Sequence, residues 1–182
     1  MKLVATGSQT VGPFFSIGFG HLGSLAAAVD SKPVTVHGKV IDGEGESVPD
    51  AVLEFWQADP LGNYATASAD VSGLAAGFAR IATDDDGCFG FSTCRPGAVA
   101  FDGIQMQAPH LVVLVFARGL LRHLITRMYL PDEPGNATDP LLQSLPDDRR
   151  PTLIARKMSG SADSLHWEVV LQGENETVFF AW

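Results

Sequence analysis

The sequence predicts an all-β protein, a two-layer β-sandwich of mostly antiparallel strands with one or two short helices. Three observations carry that reading. Short runs rich in β-branched and aromatic residues recur along the whole chain. Clusters of Gly, Asp and Pro punctuate them at regular spacing, the pattern of sandwiches and barrels. Helical signals are confined to two places.

Taken in order, Val34, Val36, Gly38 and Val40 alternate with Thr35, His37 and Lys39 and stop at Asp42-Gly43-Glu44-Gly45, a hairpin signal. A second strand is expected within residues 48–59, around Val52-Leu53-Glu54-Phe55-Trp56-Gln57, and Gly62-Asn63 makes the next turn. Residues 78–83 form a further strand, and Asp84-Asp85-Asp86-Gly87 turns the chain into Cys88-Phe89-Gly90-Phe91-Ser92-Thr93-Cys94, which Arg95-Pro96-Gly97 ends. Residues 111–118 are continuously apolar up to Arg118 and read as a central strand buried on both faces. Residues 122–130, 167–171 and 177–180 supply the last strands. One helix is expected at Asp139-Pro140-Leu141-Leu142, with Asp at the cap and Pro in the first helical position, and a weaker one at residues 24–29. No repeat or linker divides the chain, so residues 1–182 are expected to form a single domain.

Hydrophobic residues make up 46% and charged residues 18%, which excludes wholesale disorder. The net charge of −9, with no basic cluster larger than Arg149-Arg150, excludes a phosphate-binding surface and therefore a nucleic-acid partner. The run Leu3-Val4-Ala5 is too short for a signal-peptide core, and no apolar run approaches the ~20 residues of a membrane helix, so a soluble cytoplasmic protein is expected. Cys88 and Cys94 on one strand would lie roughly 20 Å apart, beyond the about 4.4–6.8 Å a disulfide needs, and read as buried free thiols. Asn136-Ala137-Thr138 and Asn175-Glu176-Thr177 match the glycosylation pattern, which means nothing without secretion.

Gly18-Phe19-Gly20-His21-Leu22-Gly23 matches the dinucleotide fingerprint, but a doubly wound fold needs alternating helices, and Pro33 would leave its helix about two turns. A glycine-rich surface loop is the expectation. Asp84-Asp85-Asp86-Gly87 lacks the alternating ligands and terminal Glu of a calcium loop.

Several segments together resemble the intradiol ring-cleaving dioxygenases, and specifically the α-type chains of the two-chain members. They are Ser8-Gln9-Thr10-Val11-Gly12-Pro13-Phe14-Phe15, the Val52–Asp59 stretch with Gly62-Asn63-Tyr64, Ala108-Pro109-His110-Leu111, Phe116-Ala117-Arg118-Gly119, Thr126-Arg127-Met128-Tyr129, Thr152-Leu153-Ile154-Ala155-Arg156 and Gln172-Gly173-Glu174-Asn175-Glu176-Thr177-Val178-Phe179-Phe180. The blocks run nearly end to end. The resemblance implies a β-sandwich and a reaction in which Fe(III), held by two tyrosinates and two histidines, binds a catecholate and opens its ring to O2.

That ligand set is incomplete here. Tyr64 stands in the family's Gly-x-Tyr turn, but Pro96-Gly97-Ala98 is followed by Val99 where the second tyrosine belongs. The family's His-x-His places two imidazoles on one strand face; His110 supplies one, and position 112 is Val. Tyr64 and His110 are therefore vestigial, no metal and no catalytic residue is assigned to this chain, and the resemblance implies Fe(III) in a homologous β partner of an (αβ)n assembly acting on protocatechuate and O2. The same resemblance makes Thr10, Gly12, Pro13 and Arg118 contributors to the substrate pocket, with residues 1–32 an amino-terminal extension packed on the partner. An Arg beside that pocket complements the ring carboxylate of protocatechuate. Against these stand blander roles: Tyr64 as a turn aromatic, His110 as a structural histidine, Gly12-Pro13 as a turn, and Arg118 as a salt-bridged residue closing a core strand. A stand-alone β-sandwich binding module is the alternative, and an iron enzyme acting alone is disfavoured by Val99 and Val112. The apolar tail 178–182 fits a partner surface or the last core strand.

Overall fold

The computed structural model describes residues 4–12, 14–19, 33–65, 77–161 and 163–181. The expected helix at residues 24–29 and most of the glycine-rich match lie outside them, as does Pro13. Ten strands occur among the described residues: β1 (Pro33–Ile41), β2 (Val52–Gln57), β3 (Phe78–Ala82), β4 (Cys88–Cys94), β5 (Val99–Ala100), β6 (Met106–Gln107), β7 (His110–Phe116), β8 (Leu124–Tyr129), β9 (Arg156–Lys157) and β10 (Ser164–Val170). One four-stranded sheet has the order β4-β1-β10-β9, a second β3-β2-β7-β8, and β5-β6 form a separate hairpin. All ladders are antiparallel except β1 with β10, so the predicted sandwich holds.

Alternation along the strands builds the core. Val36, Val40, Phe89, Leu165, Trp167 and Val169 from one sheet meet Leu53, Phe55, Ile81, Leu111, Val113, Val115 and Met128 from the other. Phe55 packs on Phe89 and Phe91 with ring centroids 5.7 and 4.5 Å away, tilted as aromatic pairs prefer. Gly38 sits in the middle of β1 because a Cβ there would fall 2.2 Å from the Phe89 ring and 2.4 Å from the Trp167 carbonyl oxygen. The helix α1 (Phe15–Gly18) is a single turn that the sequence did not announce. The helix α2 (Pro140–Gln143) begins as predicted, with Asp139 accepting from the backbone N–H groups of Leu141 and Leu142. No helix among the described residues is long and apolar enough to cross a membrane.

Three expectations need correction. The turn at Asp42 forms, with Asp42 Oδ1 accepting the N–H groups of Glu44 and Glu46 at 2.9 Å each, but it does not join two strands of one sheet. After a single bridge between Ile41 and Ser47 the chain crosses to the facing sheet. Pro49 has no donor to continue a ladder, and Asp50 adopts a left-handed backbone with φ 66°. Strand β7 is fully buried on one face, where Leu111, Val113 and Val115 point inward, while on the outer face His110 is buried and Val112, Leu114 and Phe116 are half-buried. Residues 177–180 form no ladder. A bond from Phe180 N–H to the Ile125 carbonyl, 2.8 Å, and one from the Thr126 hydroxyl to the Val178 carbonyl, 2.8 Å, tether them instead. Phe179 packs on the main core and Val178 and Phe180 on a second cluster with Tyr129, Leu142 and Leu153, so the tail serves its own chain. Cys88 and Cys94 are free as expected, Cys94 buried and Cys88 half-buried.

Candidate functional site

The outer face of β7 and β8 carries a polar cluster. Pairing of these strands sets His110 opposite Tyr129 and Val112 opposite Arg127. Tyr64 reaches the same place from the loop after β2. That loop is held by Asp59, whose Oδ1 accepts from Leu61 and Asn63 N–H at 2.9 Å each, bonds that lower its carboxyl pKa, the Asn63 bond foremost. Gly62, at φ 85°, lets the loop press against Ala98, whose carbonyl oxygen would lie 2.1 Å from any Cβ there.

The structure thus brings the two ligand-like residues together. The Tyr64 hydroxyl lies 3.4 Å from His110 Nε2, and His110 Nδ1 faces the Ala108 carbonyl at 2.7 Å. A carbonyl cannot donate, so Nδ1 carries the proton and Nε2 presents the lone pair to the phenol. Burial pushes the His110 pKa down to about 4, with the Arg127 charge adding to it. Burial raises the Tyr64 phenol and Arg127 offsets only part of this. Both side chains are neutral at neutral pH.

The residues at the two missing ligand positions are equally informative. Val99 is the strand partner of Gln107 and Val112 that of Arg127. Between them Arg127 Nη1 donates to Gln107 Oε1 at 2.6 Å and lies 3.3 Å from the Tyr129 hydroxyl. The Tyr129 hydroxyl donates to Asp139 Oδ1 at 3.1 Å, and Asp139 Oδ2 accepts the Ala108 N–H at 2.8 Å. Gln107, Arg127, Tyr129 and Asp139 were not foreseen as one network. Asp139 showed in the sequence as a helix cap and Arg127 and Tyr129 stood in one motif, while nothing in the sequence signalled Gln107.

The second group of expected residues meets at another corner. Thr10 accepts the Gly119 N–H through its hydroxyl at 2.8 Å, which places the amino-terminal segment against Arg118-Gly119. Arg118 follows β7 and pairs through Nε with Asp50 Oδ2 at 2.7 Å, its side chain 53% exposed. It is therefore salt-bridged at the end of a core strand and also open to an incoming group. Among the described residues nothing lies within 4 Å of a Cβ built on Gly12. His37, His123 and His166 do not join either group; His37 and His166 are register partners on β1 and β10, and His123 stacks on Phe116.

The sandwich and its ligand-like pair agree with the family comparison: a family model described as dioxygenase matches residues 26–173. The chain belongs to the intradiol dioxygenase family. Within it, the chain is 41% identical to the protocatechuate 3,4-dioxygenase alpha chain of Burkholderia cepacia, covering 98% of both chains. It is 31% identical to the protocatechuate 3,4-dioxygenase beta chain of Burkholderia cepacia, covering 79% of this chain and 66% of that one. Among solved structures, the dioxygenase domain of a dioxygenase carbohydrate-binding protein fusion from Streptomyces sp. SirexAA-E superposes with a TM-score of 0.64 at 29% identity, over 92% of this chain and 97% of that one.

The family is iron-dependent, and the described residues of this cluster do not fit the metal. Ferric iron needs a phenolate and several N/O ligands, whereas the two phenols of this cluster, Tyr64 and Tyr129, are both raised by burial, the Tyr129 hydroxyl is taken up by Arg127 and Asp139, and the lone pair of the one imidazole already meets Tyr64. The nearby Arg127 cation opposes a second positive charge. Among the described residues no group of three His, Cys, Asp or Glu side chains is placed to hold a metal ion.

Proposed function

We propose that this chain is the non-iron, α-type subunit of an (αβ)n protocatechuate-cleaving complex in the cytoplasm, with Fe(III) held by a homologous β partner. In this reading the chain walls the substrate pocket at the contact between the two subunits. Thr10, Gly12 and Pro13 bring the amino-terminal extension, residues 1–32, to that contact, and Arg118 faces the ring carboxylate of protocatechuate. The complex adds both atoms of O2 across the bond between the hydroxylated carbons and releases 3-carboxy-cis,cis-muconate.

One observation carries the reading: the vestigial pair Tyr64–His110 sits beside a buried guanidinium in a chain that aligns nearly end to end with an alpha chain. Exposed apolar side chains support a partner. Phe14 and Ile17 are 74% and 77% exposed on the amino-terminal segment, and Leu61 and Ile104 are 84% and 91% exposed around the β5–β6 hairpin. The test is iron content and visible absorption of the chain purified alone and co-expressed with the neighbouring gene product. A colourless chain alone and a red-brown, protocatechuate-cleaving complex are expected. Stoichiometric iron and tyrosinate-to-iron absorption in the chain alone would overturn the reading and return Tyr64 to the catalytic residues.

A further inference from the structure

We propose that Asp50 is a positioning residue for substrate recognition, holding the Arg118 guanidinium in the orientation that meets the carboxylate of the substrate. This deepens the proposed function and rests on its assignment of Arg118.

The loop between β1 and β2 brings Asp50 beside the end of β7, and the contact is an ion pair from Arg118 Nε to Asp50 Oδ2 of 2.7 Å. Among the described residues it is the one polar contact of the Arg118 side chain. Engagement through Nε leaves the far end of the guanidinium, Nη1 and Nη2, for the fork that takes a carboxylate bidentately. A long, half-exposed arginine otherwise loses rotamer freedom when it binds, and holding it beforehand removes that cost from the binding step.

Stability alone explains Asp50 poorly. An ion pair whose arginine is this exposed contributes little to folding. Asp50 nevertheless keeps a left-handed backbone at φ 66°, and its second oxygen, Oδ1, is buried without a hydrogen-bond partner among the described residues. Both features cost free energy and gather where geometry is needed for function. The adjacent Gly119 also has a positive φ, 90°, and is latched by Thr10, so segments far apart in sequence converge on one guanidinium.

The experiment uses the iron-loaded complex with Arg118→Ala, Asp50→Asn and both together, measuring binding of protocatechuate and of catechol, which lacks the carboxylate. Asparagine tolerates the left-handed backbone and keeps the side-chain size. Arg118→Ala is expected to weaken protocatechuate about tenfold or more, with catechol nearly unchanged. Asp50→Asn is expected to weaken protocatechuate about three- to tenfold, to leave catechol within about twofold, and to add nothing in the Arg118→Ala background. Unchanged protocatechuate binding in Asp50→Asn beside a selective Arg118→Ala would refute the role of Asp50 alone. Equal losses for both ligands in Asp50→Asn, or additive losses in the double variant, would make it a structural residue. Equal losses in Arg118→Ala would remove the reading of Arg118, and this inference with it. Should Asp50→Asn fail to assemble, Asp50→Gly suits the same backbone and carries the same expectations.

Discussion

His110 is 1% exposed, and its environment makes a neutral imidazole part of the folded state. An unfolded chain takes up a proton near the ordinary histidine pKa of 6.5, the folded chain only near 4. Between those values the unfolded state binds more protons. The stability contributed by the neutral ring is therefore full above about pH 6.5 and is lost as pH falls toward 4, by a few kcal/mol on the order set by the shift. Denaturant unfolding at pH 7.5 and pH 5 should show this loss in the native chain and a clearly shallower one in His110→Asn. Equal slopes would mean that other groups carry the acid sensitivity. At this scale Tyr64 and His110 were legible because each stands in a short motif. Arg127 was not legible as their neighbour: its place beside them depends on the pairing of β8 with β7, which no local pattern encodes.

At the scale of elements, Asp139 does more than its sequence position suggested. The prediction of a cap followed from Asp before Pro140, and two N–H groups of α2 do bond to it. The same carboxylate, fully buried, also takes the Ala108 N–H before β7 and the Tyr129 hydroxyl at the end of β8. Removing it strands several buried donors at once. Asp139→Ala is expected to lower the unfolding free energy by about 3–5 kcal/mol, and Asp139→Asn by a smaller amount because one carbonyl oxygen remains. Urea unfolding of the three proteins checks this; a loss below about 1 kcal/mol in the alanine variant would show that the network is not a structural joint.

On the scale of the whole molecule, the apolar side chains left outside matter most. Ile104 at the turn of the β5–β6 hairpin touches no core, and Leu61 lies on the loop that presses against Ala98 at the start of the same hairpin. Ile104→Glu should leave the unfolding midpoint of the isolated chain unchanged and reduce its co-purification with the proposed β partner. Undiminished co-purification would place the subunit contact elsewhere, for instance on the exposed Phe14 and Ile17 of the amino-terminal segment. The long strands other than the one expected at 177–180, the turns at Asp42, Gly62-Asn63 and Asp84, the cap at Asp139 and the shortage of iron ligands at Val99 and Val112 were determined by the sequence itself. Alternation, turn chemistry and ligand identity act within a few residues of the chain. Tertiary structure alone decided which sheet each strand joins, that Gln107 and Arg127 meet between the two missing ligand positions, and that Thr10, Asp50 and Arg118 converge. These depend on register and on burial between segments tens of residues apart, where the core selects among pairings that local propensity leaves equivalent.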